Sequence, residues 1–498
     1  MVSFAQVRSR TGIVQMRDDQ DIDKIAADMR ECFRTAGQEH VFTFWDHLEN
    51  PARRRLLEQL REIDLDVLTE PANPELAQAT EDKGELLPAP ALRLGKEPEE
   101  SSRREGRNRG EELLGAGKIA LLLVAGGKGS RLGQDGPKGC FPLAPLSAKS
   151  LFEIHAAKIR RLGLVHEVSL PWYIMTSAST DARTREYFEQ KDFLGLPPAD
   201  IIFMKQGSLP VLDGRGKLIL EAPDRISLSP NGHGGCYEAL RDSGALEDAR
   251  SRGIEHIFYF QVDNPLVAIA APLFCGLHDL TGSDMSLKVL KKTGPGEKIG
   301  VVAMRDDTLR VVEYTDLPRE QANLRDSAGD LVFSLGSIGI HLLRREFIEK
   351  LLSTSTPLPL HPVSKRLDAI DGDGEPVTIE GTQLETFVFD ALSLARRSFN
   401  LEVRREREFA PAKTLGGVDS VDNARKLLVE EHRRWLARAG ITAHGTVESD
   451  PLAGGSAEEL AGELEPWSGR KFKGSLLVSR GEDGKLSLEE PAGQEPLS

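Results

Sequence analysis

The run Gly126-Gly127-Lys128-Gly129-Ser130-Arg131-Leu132-Gly133 is followed at once by Gly136-Pro137-Lys138-Gly139. Glycines let a backbone turn tightly and bring successive N–H groups against an anion. Arg131 and Lys138 add two cations to the same turn, so the segment is expected to bind phosphate. The alternative is a tight strand-to-helix turn with surface charges. The spacing is not that of a Walker loop. It is not a dinucleotide fingerprint either: Gly127 and Gly129 fit, but Gly133 comes one residue late.

Two further segments could do chemistry. In Pro230-Asn231-Gly232-His233-Gly234-Gly235, glycine density permits close approach of a ring or ribose, and His233 could donate to a phosphate or hydroxyl oxygen. The plainer reading is a loop that opens a helix. Val262-Asp263-Asn264 ends the apolar run HIFYFQ. Open α/β sheets bind ligands at the carboxyl ends of their strands. A single carboxylate there suits Mg²⁺, which keeps waters and takes its remaining ligands from phosphates. An Asx-turn or helix cap is the alternative. Glu313-Tyr314 at a strand end, and Lys413 after a proline, read singly as solvated surface.

The elements that must hold these residues are legible in outline. KIALLLVAGG is a short continuous apolar run ending in glycines, as in a buried parallel strand. After it, SAKSLFEIHAAKIRRLG has helical spacing. WYIMTS, TDARTREYFEQ, ADIIFMKQ, CYEALRDSGALEDARSRG and HIFYFQVDN then alternate as strand, helix, strand, helix and strand. That alternation predicts an open, mostly parallel α/β sheet. Strand-like pieces with short turns over 283–345 predict an antiparallel lobe added to it, where a sugar could be held. Residues 18–70 read as helices, with Phe44, Trp45, Leu56, Leu57 and Leu60 as core. The charge run of 95–112 reads as a solvated linker. Residues 420–440 read as an amphipathic helix, and the tail from 442 as Gly- and Glu-rich with a few strands. The expected organisation is a helical N-terminal region (1–95), a charged linker (96–116), a catalytic domain (117–400) and a small C-terminal domain (401–498).

Bulk properties narrow the partners. The 498 residues carry 64 Lys+Arg against 78 Asp+Glu, a net charge of −14, with 39% hydrophobic content. Such a chain is long enough for two or three domains of roughly 100–200 residues. Global negative charge makes nucleic acid and anionic membrane surfaces poor partners. Cys32, Cys140, Cys236 and Cys275 are scattered, which argues against structural zinc and a disulfide framework and for a reducing cytoplasm. The first residues lack the apolar stretch of a signal peptide, and no apolar run approaches the roughly 18 residues of a membrane span.

Leu121 to Gly139 (LLLVAGGKGSRLGQDGPKG) resembles the signature of the eukaryotic-type UDP-sugar pyrophosphorylases, closest to the UDP-N-acetylglucosamine branch. The resemblance continues in order through WYIMTS, FMKQGSLP, PNGHGG, VDNPLV, VVEY, FVFD and EFAPAK, and covers nearly the whole chain. It implies a Rossmann-like central domain flanked by two smaller ones. It also implies UTP, a sugar 1-phosphate and Mg²⁺, and leaves the oligomeric state open, a monomer included. Carried over by position, Gly126 and Gly127 would contact the nucleotide, and Arg131 and Lys138 the triphosphate. Gln206 and Gly232 would read uracil. Asp263 would hold Mg²⁺ and face the α-phosphate, Glu313 would accept from sugar hydroxyls, and Lys413 would bind the sugar phosphate. His233, Glu313, Tyr314 and Ser337 make up the sugar side.

The chain departs from that pattern in three places. His233 and Ser337 stand where the N-acetylglucosamine branch carries Asn, so the sugar stays open between N-acetylglucosamine and glucose. Gln383 stands where the family carries a phosphate-binding Lys, for which Lys365 is a candidate substitute. Two other functions compete with the uridylyltransferase reading: a glycosyltransferase that consumes a UDP-sugar, and a UDP-sugar-binding protein with impaired catalysis.

Overall fold

The computed structural model describes residues 19–65, 84–93, 100–354, 357–481 and 483–491. The readings made for the first 18 residues, for 66–83 and for the start of the charge run lie outside these residues. The chain divides into two compact units. The larger comprises Glu85–Gln206, Gly235–Pro357 and Val388–Ser498, and the smaller Met1–Gly84, Gly207–Gly234 and Leu358–Phe387.

The larger unit is built on a ten-stranded sheet. Its parallel centre is β1 (Ile119–Val124), β2 (Trp172–Thr176), β3 (Ile201–Lys205) and β4 (His256–Gln261), hydrogen-bonded in the order β4-β1-β2-β3. Almost every residue of β1, β2 and β4 is buried, as continuous apolar runs require when both faces are covered, while β3 is only partly buried. Four more strands follow: β5 (Met285–Lys291), β6 (Val301–Arg305), β7 (Thr308–Val312) and β8 (Leu335–Arg344). They pair antiparallel, but they are not a separate layer. β8 bonds to β4 with His341 opposite Tyr259, so the expected lobe of 283–345 continues the same sheet. β9 (Ser398–Glu402) adds a parallel edge beside β5.

The charge run is a helix rather than a linker. α1 (Glu100–Gly115) lies against a second helix, Pro272–Leu280. Gly106, Gly110 and Gly276 make the close crossing: a Cβ on Gly276 would sit 1.8 Å from the Gly106 carbonyl oxygen, and one on Gly110 1.9 Å from that of Pro272. Most charges of α1 are exposed, while Arg109 reaches across to Asp279 of the packed helix at 2.8 Å. A second helix, α2 (Leu151–His166), follows the glycine-rich segment and starts with a capping box. The Ser150 Oγ accepts from the Glu153 amide, and the Glu153 carboxylate accepts from the Ser150 amide. The expected amphipathic helix is Val421–Arg438, and beyond it Leu436, Ile441, Val447, Leu460, Leu464 and Leu476 close a small core of their own. Among the described residues no helix is long and apolar enough to cross a membrane.

The smaller unit explains the aromatics near the N-terminus. Helices Asp19–Thr35 and Asn50–Glu62 bury Phe33, Phe42, Trp45, Leu56, Leu57 and Leu60 together with Leu218, Leu220 and Ile226. The N-terminal helices therefore share one core with residues from the middle of the chain, and do not form a region by themselves. A long hairpin, His361–Ile370 with Pro376–Glu385, completes the unit.

Candidate functional site

The carboxyl ends of β1, β2, β3 and β4 gather most of the residues expected to do chemistry. The segment after β1 is stapled at its base: the Lys138 amide donates to the Gly127 carbonyl (3.0 Å) and the Gly129 amide to the Gly136 carbonyl (2.8 Å). Gly133 turns the tip with φ +70°, a conformation L side chains avoid. Arg131 sits exposed in the single turn Ser130–Leu132, and its guanidinium has no protein partner among the described residues.

Two groups form on either side of this loop. On one side Ser177, which follows β2, donates through Oγ to the Gly126 carbonyl (2.8 Å). Gln206, buried just after β3, brings Oε1 within 3.0 Å of where a Cβ on Gly126 would be. On the other side the Lys138 ammonium donates to Asp263 Oδ2 at 3.2 Å, with both side chains mostly buried. The Ala412 amide donates to the Asp263 carbonyl (2.9 Å), which sets Lys413 one residue from that contact. The Lys413 ammonium is paired with Asp419 at 3.1 Å. Gly126, Gly127, Arg131, Lys138, Gln206, Asp263 and Lys413 thus share one edge of one sheet.

The sugar-side candidates are partly brought together. Glu313 directly follows β7, with Oε1 3.2 Å from where a Cβ on Gly300 would be, and the Ser337 amide donates to the Gly300 carbonyl (2.9 Å). Tyr314 stays 43% exposed, outside this pair. Gly232 and His233 belong to the smaller unit. There the His233 ring stacks on Phe387 with centroids 5.2 Å apart, and Phe387 also stacks with His361 at 4.3 Å. Burial, aided by the nearby His361, lowers the His233 pKa to about 4, so the ring is neutral at physiological pH. Gln383 lies opposite Val363 in the long hairpin, and Lys365 is its diagonal neighbour on the same face.

The donor set fits a hard divalent cation at Asp263. One carboxylate oxygen is held by Lys138, and the other accepts no protein hydrogen bond among the described residues. A lone carboxylate beside a phosphate cradle suits Mg²⁺, which relies on substrate phosphates and water for its remaining ligands. A different cluster, Glu255, His256 and Asp279, has spacing that a metal could use. Its charges are already matched: Lys118 lies 3.2 Å from Glu255, Arg109 2.8 Å and His256 3.1 Å from Asp279. These contacts, the His256 hydrogen bond first, hold the Asp279 carboxyl far below its usual range, and the cluster is an ion-pair network at the far end of β4.

The sequence reading missed the residues that brace this edge. Ser177 was detectable only as the strand-end serine of WYIMTS. His155, Lys158 and Lys288 carry no motif, and lysine in an apolar run reads as an exposed side chain. His155 Nε2 contacts the Val262 carbonyl at 2.9 Å, and burial lowers its pKa to about 3.

Parallel strands that end in an anion-cradling glycine loop, beside a strand-end carboxylate, mark the nucleotide-binding α/β enzymes, and the cations gathered around them point to group transfer at phosphate. The family described as UTP–glucose-1-phosphate uridylyltransferase matches residues 91–447. UDP-N-acetylhexosamine pyrophosphorylase-like protein 1 of Homo sapiens is 34% identical over 93% of this chain and 99% of its own. The UDP-N-acetylglucosamine pyrophosphorylase of Saccharomyces cerevisiae is 33% identical over 91% of this chain and 99% of its own. Among solved structures, the uridine diphosphate N-acetylglucosamine pyrophosphorylase from Trypanosoma brucei superposes with a TM-score of 0.78 at 26% identity, covering 95% of this chain and all of that one. The chain belongs to the UTP–glucose-1-phosphate uridylyltransferase family, and is a nucleotidyltransferase of the uridylyl-transferring class.

Proposed function

We propose that this chain joins the uridylyl group of UTP to an N-acetylhexosamine 1-phosphate, giving a UDP-sugar and pyrophosphate. The observation that carries the reading is the meeting of Lys138, Asp263 and the glycine loop at one sheet edge, with Lys413 held beside Asp263. The names of the relatives favour the N-acetylated sugar, and the family's description makes glucose 1-phosphate the comparison. The reading places the protein in the cytoplasm.

In the reaction an oxygen of the sugar 1-phosphate attacks the α-phosphorus of UTP in line. The bond from that phosphorus to the bridging oxygen of the β-phosphate breaks, and pyrophosphate leaves with the electron pair. The attacking phosphate is already ionised, so the chain needs no strong general base; its work is positioning and charge neutralisation. Gly126 and Gly127 give the nucleotide close access to the backbone. Arg131 neutralises charge gathering on the departing diphosphate. Lys138 shifts from Asp263 to the triphosphate, and the Asp263 carboxylate would hold Mg²⁺. Mg²⁺, when bound, supplies charge stabilisation at the phosphates. Lys413 leaves Asp419 to hold the sugar phosphate. Gln206 contacts uracil, offering both a donor and an acceptor. Glu313 accepts from sugar hydroxyls, and Ser337 and Tyr314 line the sugar side.

Purified protein with UTP, Mg²⁺ and a panel of sugar 1-phosphates, followed by pyrophosphate release, tests the reading. Release that is fastest with an N-acetylhexosamine 1-phosphate is expected. Release fastest with glucose 1-phosphate corrects the sugar. No release with any acceptor overturns the function.

A further inference from the structure

The turn that presents Asp263 is held by its backbone carbonyls, of which those of Val262, Asp263, Pro265, Val267 and Ala268 are capped by side chains or amides from elsewhere in the larger unit. The Val262 carbonyl meets His155 Nε2 at 2.9 Å, and the Asp263 carbonyl accepts from the Ala412 amide at 2.9 Å. The Lys158 ammonium donates to the carbonyls of Pro265 and Val267, the latter at 2.9 Å. The Lys288 ammonium donates to the Ala268 carbonyl at 3.2 Å. Asn264 locks onto the same backbone stretch that carries Lys413: its Nδ2 donates to the Glu408 carbonyl (2.7 Å), and its Oδ1 accepts from the Ala410 amide (3.0 Å).

One buried ion pair closes this arrangement. Lys288 sits in the middle of β5 with 1% of its side chain exposed. Its ammonium donates to both oxygens of Glu408, at 2.8 and 3.0 Å. The ammonium also lies 5.9 and 5.6 Å from the ring centroids of Phe258 and Phe274. Glu408 Oε2 also accepts from the Ala268 amide at 3.1 Å. A lysine buried in an apolar sheet is costly unless paired and fully hydrogen-bonded, and this one is both. Three chain segments therefore meet at Glu408: β5, the Asp263 turn and the approach to Lys413.

We propose that Glu408, Lys288 and Lys158 form a clasp that fixes Asp263 relative to Lys413, and so act as positioning residues for uridylyl transfer. None of the three reaches the reacting groups themselves. The proposal rests on the reading of the preceding subsection, in which Asp263 and Lys413 serve the two phosphates that must meet in line. In-line transfer loses rate steeply when its reactants are displaced by about 1 Å. The glycine loop and Arg131 grip UTP independently of the clasp, so loosening it separates turnover from UTP binding.

The variant Glu408→Gln keeps the side-chain shape and an acceptor for the Ala268 amide, but removes the charge facing Lys288. Its kcat is expected to fall at least about tenfold, with the KM for UTP within about twofold of wild type. Amide hydrogen exchange is expected to quicken in residues 263–268 and 408–413, and to stay unchanged in residues 126–139. Arg252→Gln, which breaks an ion pair with Asp200 and Asp248 in the same unit away from the turn, supplies the comparison. It should lower the unfolding midpoint and leave kcat unchanged. If Glu408→Gln does not fold, Lys158→Met carries the same expectation. Wild-type kcat in the folded variant, or exchange that quickens equally in residues 126–139, overturns the clasp. A wild-type protein without transferase activity overturns the function reading instead, and the exchange pattern still decides the clasp.

Discussion

Lys138 and Lys413 each hold a carboxylate in the structure, Asp263 at 3.2 Å and Asp419 at 3.1 Å. A triphosphate or sugar phosphate carries more charge than one carboxylate, so on the proposed reading substrate binding is an exchange of partners at both lysines. Arg131 differs, because its guanidinium has no protein partner among the described residues, and the proposed reading assigns it to the departing diphosphate. Substituting Arg131 by Ala is therefore expected to lower kcat by more than about tenfold while the protein stays folded. Steady-state rates at saturating UTP check this, and near-wild-type turnover would remove Arg131 from the chemistry. The candidate cations and the strand-end carboxylate were legible because the glycines, the two basic residues and the carboxylate each follow a continuous apolar run that reads as a buried strand. Their supports were not: Lys158 and Lys288 lie in stretches whose composition gives no hint that an ammonium is enclosed, and burial lowers Lys158 to a pKa of about 8.

At the scale of elements, the alternation of apolar runs and helical spacing placed the parallel strands, since each buried strand must be a continuous apolar run. The same reasoning failed for α1. Composition counts its charges, whereas its packing depends on Gly106 and Gly110, which add nothing to an apolar stripe. The crossing of α1 with the helix Pro272–Leu280 leaves no room for a side chain at Gly276. Gly276→Ala is expected to destabilise the larger unit by about 1–3 kcal/mol or more, by forcing the backbones apart. Gly115→Ala, where an added Cβ meets nothing within 4 Å, serves as the control and should be neutral or slightly stabilising. Denaturant unfolding of both variants tests the crossing, and equal midpoints would contradict it. The antiparallel strands were legible as an addition to the sheet, but the strand they join was not, because the pairing of β8 with β4 joins residues far apart in sequence.

Across the whole molecule, two units assembled from interleaved segments could not be read from local patterns, because the smaller core combines the N-terminal helices with residues 218–226 and the long hairpin. The larger unit also hides a pH dependence. His155 and His432 are buried with pKa values lowered to about 3, chiefly by burial, and His278 is shifted the same way. These rings stay neutral in the fold where an unfolded chain protonates them near pH 6.5. The unfolded state takes up the extra protons below that pH, so stability falls as pH drops from about 6.5 towards 5, by on the order of 1–2 kcal/mol per ring. A thermal midpoint unchanged between pH 7 and 5 would contradict this. The central claim is that the glycine loop, Lys138 and Asp263 form one phosphate-transferring centre. Pyrophosphate release from UTP and N-acetylglucosamine 1-phosphate by Asp263→Asn, compared with wild type, tests it most directly. The account predicts a loss of about 100-fold or more in kcat for a folded protein. Turnover within about twofold of wild type would contradict it.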